Sequence, residues 1–253
     1  MANKDSTAGT ITVALVLCIV CSVIVSAAAV MLKPAQVANK ELDFKRNILA
    51  AAGLLDTSKS VEEQFSQINT RIVQLETGKF TDGDPDSYDP VAAAKDPSQS
   101  RELSTEEDLA KISRLENRSE VYIVEKDGNV DKVILPIRGY GLWSTLYGFL
   151  ALESDMNTVA GIGFYEHGET PGLGGEVDNP AWKAGWIGKE MFDNSGDVAV
   201  RVIKGKAADS AAHQIDGLSG ATLTSRGVSN LVRFWLSDEG FGKFLTNLKE
   251  GEA

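Results

Sequence analysis

The N-terminal part of the chain contains an uncharged, apolar segment from Ile11 to Leu32. A helix of this length spans roughly 30 Å, which matches the hydrocarbon thickness of a bilayer. A cleavable signal peptide is the alternative, because Ser26 to Ala29 offer small residues for cleavage. We favour an uncleaved single-span anchor, because the segment is longer than a usual signal core. The only basic residue before it, Lys4, is also followed directly by Asp5.

Charges beside this segment predict its orientation. Four cations follow it, whereas one lysine precedes it. The positive-inside rule therefore places the following domain in the cytoplasm, although the rule weakens for long translocated domains. The cations that follow are Lys33, Lys40, Lys45 and Arg46.

Composition excludes several classes of function. The 253 residues carry a net charge of −11, which argues against binding a nucleic-acid backbone. Cys18 and Cys21, the only cysteines, lie within the apolar segment, so we interpret them as packing residues. A four-thiolate cluster needs two more cysteines, and two ligands shared at a subunit interface stay an open alternative. With only two histidines a histidine-rich site is excluded, and we predict no metal site.

Apolar periodicity predicts an α+β fold with a mainly antiparallel sheet flanked by helices. Ser60 and Glu63 are placed as a capping box, Asp127-Gly128-Asn129 predicts a hairpin, and residues 80–100 lack apolar periodicity and predict a loop. Helical spacing predicts helices at 35–55, 61–75, 104–118, 180–190, 225–236 and 239–249. β-rich runs predict strands at 121–124, 130–137, 145–152, 158–165 and 198–203. Strands in the middle, with helices before and after, are typical of α+β proteins.

A turn of small and hydroxyl-bearing residues, Asp216 to Ser225, precedes one of these helices. A helix start exposes unpaired N–H groups and the positive end of the macrodipole, which together hold a phosphate well. Gly220 and Ala221 add little bulk, so the backbone can approach an anion closely. An ordinary Ser/Thr-rich helix cap without a ligand is the alternative.

The same turn resembles the flavinylation motif Asp-x-x-Ser/Thr-Gly-Ala-Thr/Ser, in which the last hydroxyl residue carries FMN through a phosphoester. On this resemblance Thr222 is the attachment residue. Two further glycine-rich turns offer walls and polar groups for a flavin. Leu142 and Trp143 would shield the ring, and Glu169 and Thr170 would bond its polar edge. A turn with a core tryptophan, and a surface turn without a ligand, are the respective alternatives.

Together these stretches resemble the FMN-binding C subunits of sodium-translocating NADH:quinone reductases. The related G subunits of ferredoxin:NAD oxidoreductase complexes share the anchor and the flavinylation motif, and they are the nearest alternative. The stretches that carry the resemblance are Ser26 to Val30, Leu75 to Gly78, Lys132 to Pro136, Gly141 to Trp143, Glu169 to Val177 and Asp216 to Ser225.

The resemblance implies an electron-relay subunit that carries FMN on Thr222 within a membrane complex coupling NADH oxidation by quinone to sodium export. It implies other complex subunits and a flavin transferase as partners. That transferase works outside the cytoplasm, so we expect a single-pass protein of the bacterial inner membrane with a periplasmic domain, against the positive-inside rule. No dinucleotide fingerprint is present, so NADH binds elsewhere. The flavin-binding residues are predicted to be Thr222, Asp216, Ser219, Gly220, Ala221, Leu142, Trp143, Glu169, Thr170, Leu173 and Gly174.

These expectations divide the chain into four parts: a tail at 1–10, a transmembrane helix at 11–32, a helical stalk and insertion at 33–118, and an FMN-binding core at 119–253. Two alternatives come from other classes. Gly217 to Ala221 is one residue away from the nucleophile elbow of a serine hydrolase, with Ser219 as the nucleophile. A membrane-tethered binding module without a flavin is the second.

Overall fold

A computed structural model describes residues 6–253, which fall into two compact units, residues 6–43 and 44–253. Lys4, Asp5 and half of the predicted tail at 1–10 lie outside the described residues. Each unit is described by itself.

The first unit is almost entirely helical. Helix α1 covers Thr7–Ala51, and its part up to Asp43 belongs to this unit. The hydroxyl of Ser6 accepts a hydrogen bond from the N–H of Gly9 at 3.1 Å and caps the helix. The helix is long and apolar enough to cross a membrane, with a mean hydropathy of 2.9 over its best window. Its apolar side chains are exposed, which in water would be costly, so the helix suits an apolar solvent.

The second unit is built on a six-stranded antiparallel sheet, in the order β2-β1-β5-β6-β7-β8. Tyr122 pairs with Ile134 across the central hairpin, whose turn residues Asp127 and Gly128 both have positive φ, 54° and 79°. This turn matches the right-handed twist of its strands and confirms the predicted hairpin. The strands are β1 (Ile68–Gln74), β2 (Lys79–Thr81), β5 (Arg118–Lys126), β6 (Asn129–Tyr140), β7 (Thr145–Glu153) and β8 (Val159–Glu166).

Shorter elements surround this sheet. Two small sheets pair β3 (Ser100–Glu102) with β4 (Arg114–Glu116) and β9 (Arg201–Val202) with β10 (Gln214–Ile215). The helices after α1 are α2 (Val61–Phe65), α3 (Pro90–Lys95), α4 (Pro180–Ala184), α5 (Thr222–Leu236) and α6 (Gly242–Glu250). Short 3₁₀ turns lie at Pro85–Ser87 and Gly174–Asp178. Strands in the middle with helices on both sides confirm the predicted α+β class.

Helices cover both faces of the main sheet. On one face α5 packs so closely that a Cβ added to Gly139 of β6 would lie 2.4 Å from Cβ of Leu231. The indole N–H of Trp235 donates to the carbonyl of Arg138 at 2.7 Å, which fixes α5 along β6. On the other face, the last turns of α1 bury Ile48 and Leu49 among sheet residues. The sheet therefore holds the start of α5 at one end of β6.

The predicted helix at 61–75 is wrong beyond its first turn and a half. The hydroxyl of Ser60 does accept the N–H of Glu63, at 3.2 Å, but α2 ends at Phe65. Ile68 then begins β1, which pairs along its whole length with β5. Residues four apart share a face in both a helix and a strand, so the apolar spacing fitted both.

The predicted helix at 104–118 is also wrong. Ser104 and Glu107 bond each other as a helix start would, with Ser104 N–H 2.8 Å from the Glu107 carboxylate. The carboxylate of Asp108 then takes the N–H groups of Ile112 and Ser113, both at 2.8 Å, and a tight turn forms in place of a helix. The strand β4 follows.

Several other boundaries differ from the predictions. The helix predicted at 180–190 ends as α4 at Ala184, because Gly185 and then Gly188, with φ of 77°, turn the chain. The strand predicted at 198–203 is only Arg201–Val202, and the loop at 80–100 contains α3. The predicted division at residue 118 runs between β1 and β5, which are neighbours in the main sheet. The assignment of residues 33–118 to a stalk and of 119–253 to an FMN-binding core stays a prediction.

Candidate functional site

The first turn of helix α5 is polar and has no side-chain cap. Thr222 is its first residue and is exposed, and Ala221 before it provides no side-chain cap. Within residues 6–253, the N–H groups of Thr222, Leu223 and Thr224 and the hydroxyl of Thr222 have no hydrogen-bond partner. Gly220, with φ of 71°, directs the chain into this turn. The start of α5 therefore offers three free donors beside a free hydroxyl.

The residues before this turn are tied to neighbouring loops. The Asp216 carboxylate accepts the N–H of Ala207 at 2.8 Å, and the Asp216 carbonyl accepts the indole N–H of Trp182 at 2.8 Å. The N–H of Gly217 donates to the carbonyl of Gly205 at 2.8 Å. Asp216 thus fastens the turn before α5 to the loop after β9, and its binding of a cofactor stays a prediction.

The carboxylate of Glu169 joins the three predicted segments. Its Oε1 atom accepts the N–H groups of Leu142 and Trp143, each at 2.9 Å, and that of Ser144 at 3.4 Å. Its Oε2 atom accepts the hydroxyl of Thr224 at 2.6 Å. The loop after β6, the loop after β8 and the first turn of α5 therefore meet at one buried side chain. We call these four hydrogen bonds the Glu169 clamp.

Hydrogen bonding decides the charge of this side chain. Burial alone would raise the pKa of the Glu169 carboxyl. The hydroxyl of Thr224 and the N–H groups of the loop after β6 bond the ionised form, and together they hold the pKa below its ordinary value. The Glu169 side chain is therefore an ionised carboxylate at neutral pH.

Glycines make room for the clamp. A Cβ at Gly141 would lie 2.6 Å from Oε1 of Glu169, and one at Gly174 would lie 2.6 Å from both Oε2 of Glu169 and Oγ1 of Thr224. Any side chain at either position would displace the carboxylate or its partners. These glycines are therefore required by a close approach, and their φ angles are not in the left-handed region.

Apolar side chains lie exposed around the same place. Trp143 is 66 % exposed, Leu223 52 % and Leu173 44 %, which contradicts the alternative of a core tryptophan. The Cδ2 atom of Leu173 lies 2.9 Å from where a Cβ on Gly220 would be, so Leu173 packs against the turn before α5. Leu142 beside Trp143 is half-buried.

The remaining predicted residues have simpler surroundings. Ser219 and Thr170 are exposed, and Gly174 and Ala221 are buried. The carbonyl of Thr170 accepts the N–H groups of Leu173 and Gly175, which closes the turn after Glu169. The structure brings these residues to one end of β6; their contacts with a cofactor stay a prediction.

Both histidines lie in loops and form hydrogen bonds to nearby polar groups. Nε2 of His167 lies 2.8 Å from the Asp178 carboxylate, and its Nδ1 accepts the N–H of Glu169 at 3.2 Å. Nδ1 of His213 lies 2.8 Å from the carbonyl of Glu190. Within residues 6–253 neither histidine has a hydrogen bond to Ser219, so the geometry does not support the serine-hydrolase alternative.

Thr224 lies at the centre of the candidate site, and the sequence did not single it out. It is fully buried and anchors the clamp on α5. It lies within the stretch that resembles the family, but its partner is 55 residues away in the chain. No local pattern identifies such a pair.

Known proteins match both the site and the whole chain. A family model described as an FMN-binding domain matches residues 141–237, which run from the loop after β6 to the end of α5. The C subunit of the Na(+)-translocating NADH-quinone reductase from Pseudomonas aeruginosa is 58 % identical over 261 residues and covers 100 % of both chains. The chain belongs to this C-subunit family.

Other C subunits agree with this assignment. The one from Vibrio vulnificus is 50 % identical over 252 residues, covering 99 % of each chain. A crystal structure of Shewanella oneidensis NqrC, 38 % identical, has a TM-score of 0.79 and covers 84 % of this chain and 99 % of that one. The crystal structure of the C subunit from Parabacteroides distasonis, 31 % identical, has a TM-score of 0.67 and covers 85 % and 97 %. As a C subunit, the chain is part of a membrane respiratory complex with other subunits, and residues 141–237 are its FMN-binding domain.

Proposed function

We propose that the chain carries FMN through a phosphoester on Oγ1 of Thr222 and relays electrons between other subunits of a sodium-translocating NADH:quinone reductase. One observation carries the proposal. The exposed Thr222 hydroxyl, without a partner in residues 6–253, stands at a helix start whose first three N–H groups are also free.

The residues present fit the phosphate of FMN. A phosphodiester keeps one negative charge, and the free N–H groups and the helix dipole at α5 would stabilise it. The small Gly220 and Ala221 leave the backbone accessible. In the alternative of a Ser/Thr-rich helix cap without a ligand, these N–H groups would bond only water.

The residues also fit the ring of FMN. Trp143, Leu173 and Leu223 expose apolar surface on the segments that meet at the start of α5, and exposed apolar clusters in a soluble domain mark binding sites. An aromatic contact with a flat ring contributes about 1 kcal/mol beyond the burial of area. When bound, FMN supplies the redox chemistry, and the chain provides its position and its electrostatic surroundings.

Attachment requires one group transfer. Oγ1 of Thr222 forms a bond to the phosphorus of the FMN half of FAD, the phosphoanhydride bond breaks, AMP leaves and the hydroxyl proton is released. The family resemblance implies that a flavin transferase outside the cytoplasm binds FAD and catalyses this transfer. The exposed position of Thr222 gives such an enzyme access to the hydroxyl.

We further propose that residues 44–253 lie in the periplasm, although the cations after the apolar segment predict the opposite side. Protease added to intact spheroplasts should degrade this domain, and it should leave a cytoplasmic marker protein intact. Digestion only after lysis would place the domain in the cytoplasm.

The mass of the denatured full-length chain tests the attachment. Protein made in cells with an active flavin transferase should show the added mass of one FMN, and Thr222→Ala should show none. Thr222→Ser should keep the flavin because it keeps a hydroxyl, and Thr246→Ala, on α6, is the matched control for loss of a threonine. Wild-type protein without added mass would favour a binding module that carries no flavin.

A further inference from the structure

The sequence predicts that Glu169 bonds the polar edge of the flavin, but its hydrogen bonds point to another role. A carboxylate has about four acceptor sites. Two are filled by the N–H groups of Leu142 and Trp143 and a third by the hydroxyl of Thr224, with Ser144 at longer range. The side chain is only 5 % exposed. Little of it is left for a ligand.

We propose that Glu169 is a positioning residue of the flavin site, whose carboxylate holds the Trp143 loop against the first turn of α5. The inference rests on the proposed function only in taking Thr222 as the flavin attachment residue. In this proposal the residues that contact the flavin belong to the Trp143 loop and the start of α5, and Glu169 holds them in place.

The Glu169 clamp joins two segments that already lie side by side. Leu142 and Trp143 follow β6, and Thr224 lies two residues after Thr222 on α5. The two segments also touch through backbone, because a Cβ at Gly227 would lie 2.5 Å from the carbonyl of Tyr140. The clamp is the side-chain link that orients the exposed Trp143 loop relative to this contact.

The hydrogen bonds of the clamp are made to a charged group and are therefore strong. Hydrogen bonds to an ionised group contribute about 1.5 to 3 kcal/mol each, roughly twice the neutral value. Trp143 is 66 % exposed, so its side chain has little packing to fix its loop. Within the loop the N–H of Gly141 donates to the carbonyl of Ser144, and the Ser144 hydroxyl accepts the N–H of Gly168. The N–H groups that Glu169 accepts are the bonds that tie the loop to α5 through the Thr224 hydroxyl. Gly141 and Gly174 let the carboxylate reach them.

Amide hydrogen exchange tests the clamp without any flavin. We would measure the full-length chain in detergent in a Thr222→Ala background, alone and combined with Glu169→Ala or Glu169→Gln. Glu169→Ala should speed exchange of the Leu142 and Trp143 amides about tenfold or more, because their acceptor is removed. Glu169→Gln should retain most of the protection, because its amide oxygen still accepts and its NH₂ can donate to the Thr224 hydroxyl.

The flavin-loaded chain provides the second measurement. The visible circular dichroism of bound flavin reports its asymmetric surroundings. It should change in Glu169→Ala and in Thr224→Val, which removes the hydroxyl on α5 at similar volume, and it should be rescued in Glu169→Gln. Glu176→Gln removes a carboxylate from the neighbouring turn and should leave the signal as in wild type. If Glu169→Ala does not fold, the Thr224→Val and Glu169→Gln pair decides.

Two outcomes would overturn the proposal. Unchanged exchange at Leu142 and Trp143 in Glu169→Ala would show that the clamp does not hold the loop. A changed flavin signal with unchanged exchange would show that Glu169 acts on the flavin directly. Failure of the proposed function is separate, because it appears as missing FMN mass in the wild-type chain and leaves the exchange result valid.

Discussion

The carboxylate of Asp216 accepts the backbone N–H of Ala207 at 2.8 Å, and so joins the turn before α5 to the loop that follows β9. The adjacent residue strengthens the junction, because Gly217 donates to Gly205 and a Cβ on Gly217 would lie 2.3 Å from the carbonyl of Ile203. Asp216, which opens the stretch that resembles the flavinylation motif, therefore has a structural role.

This contact predicts how Asp216 variants behave. Asp216→Asn keeps an oxygen that accepts from Ala207, so FMN should be incorporated at nearly the wild-type rate. Asp216→Ala frees the loop and should slow incorporation several-fold, measured as added mass against time with transferase and FAD. Equal slowing in both variants would indicate that the transferase reads the carboxylate charge itself.

Close packing of α5 on the sheet predicts a large effect at one glycine. A Cβ at Gly139 would lie 2.4 Å from Cβ of Leu231 and 3.0 Å from the carbonyl of Ala110, so helix and strand must separate. Gly139→Ala should lower the free energy of unfolding by about 1 to 3 kcal/mol. The matched control is Gly163→Ala on β8, where nothing lies within 4 Å and stability should rise slightly. Urea denaturation followed by tryptophan fluorescence measures both, and similar effects would contradict the packing argument.

Strand β1 shows where sequence reasoning about the fold stops. Ile68 and Ile72 are both buried, and their spacing of four fits one face of a helix or of a strand. The pairing of Thr70 with Tyr122 of β5, far along the chain, decides between them. By contrast, β5 and β6 were predictable because two β-rich runs flank a two-residue turn with its own local signal.

The site shows the same limit. Glycine-rich turns and the motif at Asp216 to Ser225 were visible in the sequence, and the structure brings these segments together. The bond between Glu169 and Thr224 was not predictable, because it depends on how the loop after β8 meets α5. The sequence shows that a side chain can form hydrogen bonds, but tertiary packing decides which partner it bonds.

A buried ion pair predicts a second large effect on stability. Nη1 of Arg138 donates to the Glu116 carboxylate at 2.7 Å, and both side chains are almost fully buried, with the guanidinium 5.2 Å from the ring centre of Trp235. Glu116→Gln leaves a buried cation without its anion and should cost about 3 to 5 kcal/mol.

The pair of half-buried Arg114 and exposed Glu102, 4.0 Å apart, is the control for this prediction. Glu102→Gln should change the free energy of unfolding by less than about 1 kcal/mol, because water screens the pair. Comparable losses in Glu102→Gln and Glu116→Gln would show that burial does not set the cost.

A buried carboxyl predicts the dependence of stability on pH. Burial raises the pKa of Glu120 to about 7; a hydrogen bond from Tyr122 opposes the shift, and Asp89 and Asp86 add to it. An unfolded glutamate has a pKa of about 4.3, so between these values the folded chain holds a proton that the unfolded chain has lost. The contribution of Glu120 to stability therefore falls as the pH rises from about 4.3 to 7 and is constant above.

Glu120→Gln removes this titration and keeps an acceptor for the Tyr122 hydroxyl, which donates to Glu120 at 2.6 Å. The variant should match the wild type near pH 4.5 and exceed its free energy of unfolding by up to about 3 kcal/mol at pH 8. Urea denaturation at a series of pH values measures the difference. Glu125→Gln, exposed on the same strand, should follow the wild-type curve throughout. A constant difference between Glu120→Gln and wild type across this range would show that Glu120 does not titrate there, since a proton bound only in the folded state must make the two curves diverge.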